Sequence, residues 1–143
     1  MKIQEITNYS PEIEEAINKF LSQLIENSIL ITQRQVESII WDSNSHLFFG
    51  INKDGDYTGM LTVGIYSSPT GKKAWIEDVV VDEKYRGQGI GIDLTKFAIQ
   101  FAKDQQAAVV MLTSKPARIS ANNLYKKIGF QLKETNVYRM MLK

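Results

Sequence analysis

The sequence contains no cysteine. A chain without thiols forms no disulfide framework and no thiolate metal site, and it has no cysteine nucleophile for covalent catalysis. It has a single histidine, His46, which opens a predicted strand beside Leu47 and Phe48. Because no metal-ligand pattern accompanies it, we expect a packed or surface histidine rather than a catalytic one. The sequence therefore excludes chemistry that passes through a thiol and predicts no metal site.

An excess of charge of one sign is also lacking. Lys and Arg together number 17 against 16 Asp and Glu, so the net charge is +1. This balance gives no strong field to attract nucleic acid or a membrane surface, and we predict neither as a partner. The N-terminal residues are mixed and polar, without the apolar run of a signal peptide or of a membrane span. We therefore expect a cytoplasmic protein.

The length and composition are typical of one globular domain. A chain of 143 residues is long enough for one core and too short for two ordinary domains. Hydrophobic residues make up 43% of the chain and charged residues 23%, which is an ordinary globular balance. We predict a single domain over residues 1–143, in which binding and chemistry share one fold.

Hydrophobic periodicity predicts helices and strands in mixed order. Ser10 before Pro11, and later Thr32, are predicted N-caps of two helices that end near Asn27 and Asp42. Helical spacing predicts two more helices at residues 89–105 and 118–128. Apolar runs predict strands at residues 2–7, 46–52, 57–67, 74–81, 107–112, 130–133 and 137–142. We therefore predict an α/β (α+β) fold, with a mixed, mostly antiparallel central sheet and helices on both faces.

A glycine-rich loop follows the apolar strand at residues 74–81 and opens the helix at residues 89–105. Glycines let the backbone approach phosphate oxygens, and the unpaired amides and aligned dipoles of a first helical turn favour negative charge. Arg86 adds a permanent cation, and Lys84 is placed to add a second. The sequence therefore predicts a pyrophosphate-binding loop made of Arg86, Gly87, Gln88, Gly89, Ile90 and Gly91.

Two common phosphate loops do not match this spacing. A Walker loop needs lysine and then serine or threonine after its last glycine, where this chain has Ile92 and Asp93. A dinucleotide fingerprint needs the spacing G-x-G-x-x-G and an acid about twenty residues further on, and Met111 lies there instead. The plain alternative is that the glycines only permit a tight strand-to-helix turn. The loop taken alone leaves that alternative open.

Two motifs in order resemble one known family. The pattern Arg86-x-x-Gly89-x-Gly91 after an apolar strand resembles the coenzyme A pyrophosphate loop of the GNAT superfamily of N-acetyltransferases. A later set is similar to the A-x-x-L-Y-x-x-x-G-F signature of that superfamily: Ala121, Leu124, Tyr125, Gly129 and Phe130. The resemblance is clearest over residues 76–130, whereas the first seventy residues match only in the predicted order of elements.

The resemblance implies acetyl-CoA as the co-substrate. It places the pantetheine arm between the strands at residues 76–81 and 107–112, bonded to the backbone of Val79, Val80 and Val81. A backbone N–H near Val79 is the simplest donor to a developing oxyanion, because a strand within a sheet needs no reorganisation.

The resemblance implies roles for several further residues less directly. This chain has Arg118 where many members of the superfamily have asparagine, so Asn122 or Asn123 is the candidate for a similar contact to coenzyme A. Acceptor contacts are expected from residues 29–32 and from the final predicted hairpin, where the candidates are Asn136 and Tyr138.

Acetylation of an amine needs a base. A lysine-like amine has a pKa of about 10.4, so only about one molecule in 2,500 is unprotonated at pH 7, a deficit of roughly 4.6 kcal/mol. The resemblance places the base at Glu77 or Asp78, acting directly or through water. Adjacent strand residues face opposite sides, and we favour Glu77, although a bulge would exchange the two faces. The alternative, that these carboxylates form ordinary ion pairs, stays open.

Tyr125 is the candidate proton donor to the departing thiolate. A thiol has a pKa near 8.5 and a phenol a pKa near 10, so full protonation of sulfur by tyrosine is mildly uphill, and the predicted role is that of a hydrogen-bonding weak acid. Its alternative role is as a core aromatic in the helical stripe of Ile119, Leu124 and Ile128.

We therefore expect a direct acetyl-CoA-dependent N-acetyltransferase that acts on a small-molecule or protein amine, as a monomer or homodimer. The alternatives are a catalytically silent coenzyme A-binding sensor or interaction module, and a nucleotide-binding regulator. The first two both predict thermal stabilisation by coenzyme A, whereas the third predicts stabilisation by ATP or NAD.

Overall fold

A computed structural model describes residues 1–143 and contains five strands and four α-helices. The strands are β1 (Lys2–Glu5), β2 (Ser45–Ile51), β3 (Tyr57–Ser68), β4 (Gly71–Val81) and β5 (Val109–Met111). The helices are α1 (Pro11–Leu24), α2 (Gln33–Trp41), α3 (Ile90–Asp104) and α4 (Ile119–Ile128), and a 3₁₀ turn spans Glu83–Tyr85. None of the helices has the length and apolar character needed to cross a membrane.

The chain divides into two compact units, Met1–Thr113 and Ser114–Lys143. The first contains the whole sheet with α1, α2 and α3, and the second contains α4. The single domain over residues 1–143 stays a prediction.

The sheet has the strand order β1-β2-β3-β4-β5. Strands β1 to β4 pair antiparallel with their neighbours, whereas β4 and β5 pair parallel. A parallel pair needs a long crossover connection, and α3 provides it between β4 and β5. The predicted mixed, mostly antiparallel sheet is confirmed.

The predicted caps begin the first two helices. The Ser10 hydroxyl accepts a hydrogen bond from the Ile13 N–H at 3.2 Å, and Pro11 occupies the first helical position. Thr32 and Gln35 form a capping box, in which the Gln35 N–H donates to the Thr32 hydroxyl at 3.3 Å and the Thr32 N–H donates to Gln35 Oε1 at 2.9 Å. Each cap satisfies amides that the first helical turn leaves without intrahelical partners.

Aromatic residues that alternate along β2 reach both faces of the sheet. Phe49 packs edge-on against Phe20 of α1, with ring centroids 5.6 Å apart. The neighbouring Phe48 points to the other face, where its ring lies 5.0 Å from both Phe97 and Phe101 of α3. Because successive strand residues face opposite sides, α1 and α2 cover one face and α3 the other. Helices on both faces are thus confirmed.

The single histidine is a packed residue, as expected. His46 Nδ1 lies 2.9 Å from Glu5 Oε2, and its ring centroid lies 4.7 Å from that of Phe101. This position ties β2 to β1 and to α3.

The predicted closing hairpin is wrong. The structure assigns neither helix nor strand to residues 129–143, although residues 130–133 and 137–142 have strand-like composition. The predicted strand at residues 107–112 is also shorter, with only Val109–Met111 paired. A two-stranded hairpin is marginal by itself, and strand propensity without a backbone partner does not produce a strand.

The two glycines at Gly59 and Gly64 of β3 provide a matched stability test. A Cβ at Gly59 would lie 2.6 Å from the Val80 carbonyl oxygen and 3.1 Å from Leu94 Cδ1, whereas a Cβ at Gly64 meets nothing within 4 Å. We predict that Gly59→Ala destabilises the protein by about 1–3 kcal/mol, because β4 must move away from β3. Gly64→Ala is the control and leaves stability nearly unchanged. Urea unfolding measures both, and equal midpoints would contradict the prediction.

Candidate functional site

The glycine loop ends in an uncapped helix N-terminus. Gly87 and Gly89 have φ angles of 80° and 81°, and a Cβ at either position would meet nothing within 4 Å. Gly89 is the N-cap of α3, and no side chain caps this helix. The first intrahelical bond recorded at this end runs from the Asp93 N–H to the Gly89 carbonyl at 3.0 Å, so the amides of the first turn precede it. Open backbone on one side and unpaired amides on the other make a cradle for an anion.

Arg86 lies at the start of this cradle. Its Nε donates a hydrogen bond to the Val81 carbonyl at 3.0 Å, which folds the side chain back against the end of β4. Arg86 is an exposed residue, and Lys84 places its ammonium 5.3 Å from the Tyr85 ring centroid. Asp93 is exposed on the first turn of α3. The loop therefore has cationic groups next to its backbone amides.

A buried carboxylate holds the segment that leads into the loop. Asp82 is only 1% exposed and accepts hydrogen bonds from the Lys84 N–H at 3.1 Å and from Gln23 Nε2 at 3.4 Å. Lys19 Nζ lies 3.0 Å from its other oxygen. Gln23 also accepts the Glu83 N–H at 2.8 Å. Two side chains of α1 thus fix the turn that precedes the glycine loop.

The charge state of Asp82 follows from this environment. Burial by itself raises the pKa of Asp82, but the bonds from the Lys84 amide, Lys19 and Gln23 outweigh it and hold the pKa below its usual value. On the other side of the turn, the Tyr85 hydroxyl donates to Asp56 at 2.9 Å. Sequence reasoning did not find this cluster, and its one local signal is an acid directly after three valines.

A β-bulge interrupts β4 within the predicted catalytic segment. Thr62 pairs with Glu77 and Met60 with Val80, so two steps along β3 match three steps along β4. Asp78 lies in the bulge with a φ of 52°, in the left-handed region. The extra residue shifts the alternation, so that Glu77 and Val80 lie on the same face as Met60. Val80 is buried in the core beneath α1 and α2, whereas Glu77 is exposed.

The two carboxylates of this segment are not in ion pairs. The ion pair between a lysine and a carboxylate in this structure is Lys19–Asp82, and no cation contacts Glu77 or Asp78, so the ordinary ion-pair alternative for these two residues does not hold. Although Glu77 is exposed, partial desolvation of its carboxylate by the surrounding protein raises its pKa, and the neighbouring charge of Asp78 raises it further. A carboxylate with a raised pKa and no partner is a stronger proton acceptor than an ordinary surface glutamate.

Next to the bulge, β4 and β5 stop pairing. The parallel ladder extends only from Lys73 opposite Val109 to Trp75 opposite Met111, whereas β4 continues to Val81. On its other edge β4 stays paired with β3 as far as Val81. The backbone that faces β5 over residues 76–81 therefore has no strand partner. This matches the expected opening along Val79 and Val81, whose side chains are half-buried.

The second unit contains Tyr125 on α4. Burial raises the pKa of Tyr125, and the charge of Arg118 opposes that shift. Gly129 ends the helix, and the Phe130 N–H donates to the Tyr125 carbonyl at 3.0 Å. The Phe130 ring then packs edge-on at 5.9 Å from the Tyr125 ring. The A-x-x-L-Y-x-x-x-G-F pattern thus has a local structural reason, because its last two residues turn back onto the tyrosine.

The remaining candidates differ in how they are engaged. Asn122 Nδ2 donates to the Lys115 carbonyl at 3.0 Å and holds the turn before α4, whereas Asn123 is exposed. Asn136 Nδ2 donates to the Tyr138 hydroxyl at 3.4 Å on an exposed segment. The residues of the first unit, from Glu77 to Gly91, are brought together by one strand, one turn and one helix end.

Comparison with known proteins agrees with this geometry. The model of the Acetyltransferase (GNAT) family matches residues 14–130. The chain belongs to this family of acetyltransferases.

Relatives by sequence are also acetyltransferases, and a solved structure shares the fold. The chain is 36% identical over 83 residues to thialysine N-epsilon-acetyltransferase of Mus musculus, covering 54% of this chain and 49% of that protein. It is 32% identical over 89 residues to streptothricin acetyltransferase of Streptomyces lavendulae, covering 62% of this chain and 46% of that protein. It thus spans about half the length of these relatives. An aminoglycoside acetyltransferase from an uncultured soil metagenomic sample shares the fold, with a TM-score of 0.86, 21% identity, and coverage of 99% of this chain and 96% of that one.

We predict that Asp82→Asn lowers the free energy of unfolding at pH 7 by about 1–2 kcal/mol. The expected loss is small because Lys19 is largely exposed, and solvent weakens its ion pair with Asp82. The folded-state pKa of Asp82 is lowered, so its contribution is present above the ordinary carboxyl pKa and is lost as pH falls through the folded value. The difference between wild type and variant therefore shrinks below about pH 4. Exposed Glu26→Gln is the control, and urea unfolding across pH is the measurement. A difference independent of pH would contradict the prediction.

Proposed function

We propose that this protein transfers an acetyl group from acetyl-CoA directly to a primary amine, with both substrates bound together. The observation that carries the proposal is the cradle formed by Gly87, Gly89 and the uncapped start of α3, directly after a strand whose bulge exposes Glu77. A cradle of amides suits a diphosphate, and a partner-free carboxylate of raised pKa suits an ammonium that must lose a proton.

The residues of the first unit fit coenzyme A. The amides from Gly87 to Gly91 and the guanidinium of Arg86 are placed to hold its pyrophosphate, since a side chain at Gly87 or Gly89 would close the open backbone. The segment of Val79, Val80 and Val81 has no partner strand on the β5 side, and its free backbone groups there are the candidates to bond an amide-containing arm, although the Val81 carbonyl already accepts from Arg86. The thioester supplies an activated acetyl group, whose C–S bond breaks as the bond to nitrogen forms.

Glu77 is the proposed proton acceptor. Its environment raises its pKa, which narrows the pKa difference between the base and an ammonium. Asp78 contributes through its charge, which raises the pKa of Glu77, and through its left-handed backbone, which forms the bulge.

Tyr125 is the proposed proton donor at its hydroxyl oxygen. Burial raises its pKa, so the phenol is protonated at neutral pH and acts on a departing thiolate as a hydrogen-bonding weak acid. Because the chain contains no cysteine, a covalent acyl-enzyme intermediate cannot form on a thiol. We therefore expect sequential rather than ping-pong kinetics.

The acceptor is proposed to be an amine because the names of the related proteins point to amines, among them thialysine, streptothricin and aminoglycosides. A cytoplasmic location, a monomeric or homodimeric state, and the absence of nucleic acid and membrane partners are further parts of the proposal, and they rest on the sequence.

The direct test combines release of free coenzyme A with mass detection of the acetylated product across primary amines. Sequential kinetics with a stoichiometric N-acetyl product would support the proposal. Thermal stabilisation by coenzyme A without any product would favour a silent coenzyme A-binding module instead.

We predict that Glu77→Gln lowers kcat/KM at pH 7 by about 100-fold to 1,000-fold, because the amine loses its proton acceptor. The wild-type rate should rise with pH through a limb above the ordinary glutamate pKa, since the pKa of Glu77 is raised, and this limb should vanish in the variant. Asp78→Asn is the matched control with a smaller loss. If Asp78→Asn has the larger effect, Asp78 is the base.

We predict that Tyr125→Phe lowers kcat by about 100-fold or more, because the departing sulfur loses its proton donor. The Kd for coenzyme A, measured by calorimetry, should stay within a few-fold of wild type. The exposed Tyr138→Phe serves as the control for loss of a hydroxyl. Unchanged turnover would remove Tyr125 from the mechanism.

A further inference from the structure

Beyond the core under α1 and α2, the same face of the sheet continues into a surface that is not buried in that core. The ladder places Thr62 opposite Glu77 and Gly64 opposite Trp75. Thr62 and Gly64 occupy every second position of β3 after Met60, so they lie on the same face of the sheet as Met60, which is in the core. Thr62, Gly64 and Trp75 are half-buried, whereas Glu77 is exposed. The proposed base thus lies at one end of a continuous strip.

Two aromatic side chains form the middle of this strip. Trp75 Nε1 donates a hydrogen bond to the Tyr66 hydroxyl at 3.3 Å, which links the two residues across β3 and β4. Tyr66 is 48% exposed, although an aromatic of that size is usually more buried. Aromatic side chains pack well against planar or apolar ligands, and a hydrogen-bonded pair has little rotamer freedom left to lose on binding.

At Gly64 the sheet surface between these aromatics and Glu77 has no side chain. A Cβ built on Gly64 meets nothing within 4 Å, and its φ lies outside the left-handed region. The glycine is therefore not required by the backbone. Its effect is to leave space over the sheet, opposite Trp75 and diagonal to Glu77.

Charge on the strip is confined to its two ends. Strand β3 contributes no charged side chain along its whole length, and Glu77 lies at the end next to the bulge. At the other end Lys73 lies opposite Tyr66, with its ammonium 5.8 Å from that ring centroid and bonded to the hydroxyls of Ser68 and Thr70. With about 3.4 Å per residue, Trp75 lies about 7 Å and Lys73 about 14 Å from Glu77 along the strand.

We propose that this strip, made of Thr62, Gly64, Tyr66, Trp75 and Glu77, binds the body of the acceptor, and that the acceptor is an arylalkyl monoamine. The inference rests on the proposed function, in which Glu77 receives the proton of the amine. An ammonium at Glu77 with an aromatic ring two or three bonds away places that ring over Gly64, against Trp75. The ring occupies the open space over Gly64, and the single positive charge stays at the acidic end.

The charge distribution disfavours polycationic amines. A polyamine or aminoglycoside has further ammonium groups that need carboxylates, and along this strip the next charged group after Glu77 and Asp78 is the cation of Lys73. The Lys73 ammonium would repel a second ammonium of the acceptor, whereas the uncharged surface of β3 suits an apolar body.

The test compares wild type with Gly64→Val on 2-phenylethylamine, propylamine, spermidine and an aminoglycoside, with acetyl-CoA as donor. Wild type should show a kcat/KM for 2-phenylethylamine at least tenfold above those for spermidine and the aminoglycoside. Gly64→Val should raise KM for 2-phenylethylamine at least tenfold more than KM for propylamine, and the Kd for coenzyme A should stay within twofold. Ser67→Val, an exposed position on the opposite face of the same strand, is the matched control.

A binding measurement on protein that retains Gly64 tests the proposal even if Gly64→Val does not fold. The chain has two tryptophans, Trp41 and Trp75, so in Trp41→Phe the indole fluorescence reports on Trp75 alone. Titration with 2-phenylethylamine in the presence of coenzyme A should shift or quench this fluorescence to saturation, whereas spermidine should not.

The outcomes separate the two proposals. No acetylated product with any amine would overturn the proposed function and this inference together. Product formation with a preference for spermidine or the aminoglycoside, or with a selectivity that Gly64→Val leaves unchanged, would overturn the inference alone. A silent Trp75 signal in a protein that acetylates 2-phenylethylamine would do the same.

Discussion

One extra residue in β4 determines the organisation of the candidate site. Without the bulge at Asp78, strict alternation would place Val79 on the face of Glu77 and turn Val80 away from the core under α1 and α2. With the bulge, Glu77 and Val80 share one face of β4. The strand can therefore bury Val80 near its end and expose the Glu77 carboxylate near its middle. The bulge lies beside the point where β4 and β5 cease to pair, and both features open the sheet at the same place.

The glycine loop depends on that strand and on α1. A loop with two left-handed glycines has a mobile backbone unless its ends are held, and the amides of an uncapped helix are useful only in a fixed direction. Asp82 holds the entry to the loop through the Lys84 amide and through two α1 side chains, and Tyr85 is anchored on Asp56. The position of the loop is thereby linked to the packing of α1, the helix that helps to cover the core beside the candidate acceptor strip.

The two proposed proton-transfer groups are prepared in opposite ways by the same physical effect. Removal from water disfavours the charged form of each, so the pKa of Glu77 and the pKa of Tyr125 are both raised. For the carboxylate this gives a stronger base, and for the phenol it secures the protonated form. The first change favours removal of a proton from an ammonium. The second makes the phenol a weaker acid, so its role toward sulfur is that of a hydrogen-bond donor rather than of a group that gives up its proton completely.

Local patterns in the sequence determined the helix caps at Ser10 and Thr32, the glycine loop, and the order of strands and helices, because each depends on residues a few positions apart. The family motifs around Gly89 and Tyr125 belong to the same kind of signal. Only the tertiary structure decided the bulge, the anchoring of Asp82 by Lys19 and Gln23, and the strip of Gly64, Tyr66 and Trp75. It also decided that residues 130–133 and 137–142 do not pair as a hairpin. These features depend on which distant backbone lies opposite each residue, and periodicity within one segment contains no information about that partner.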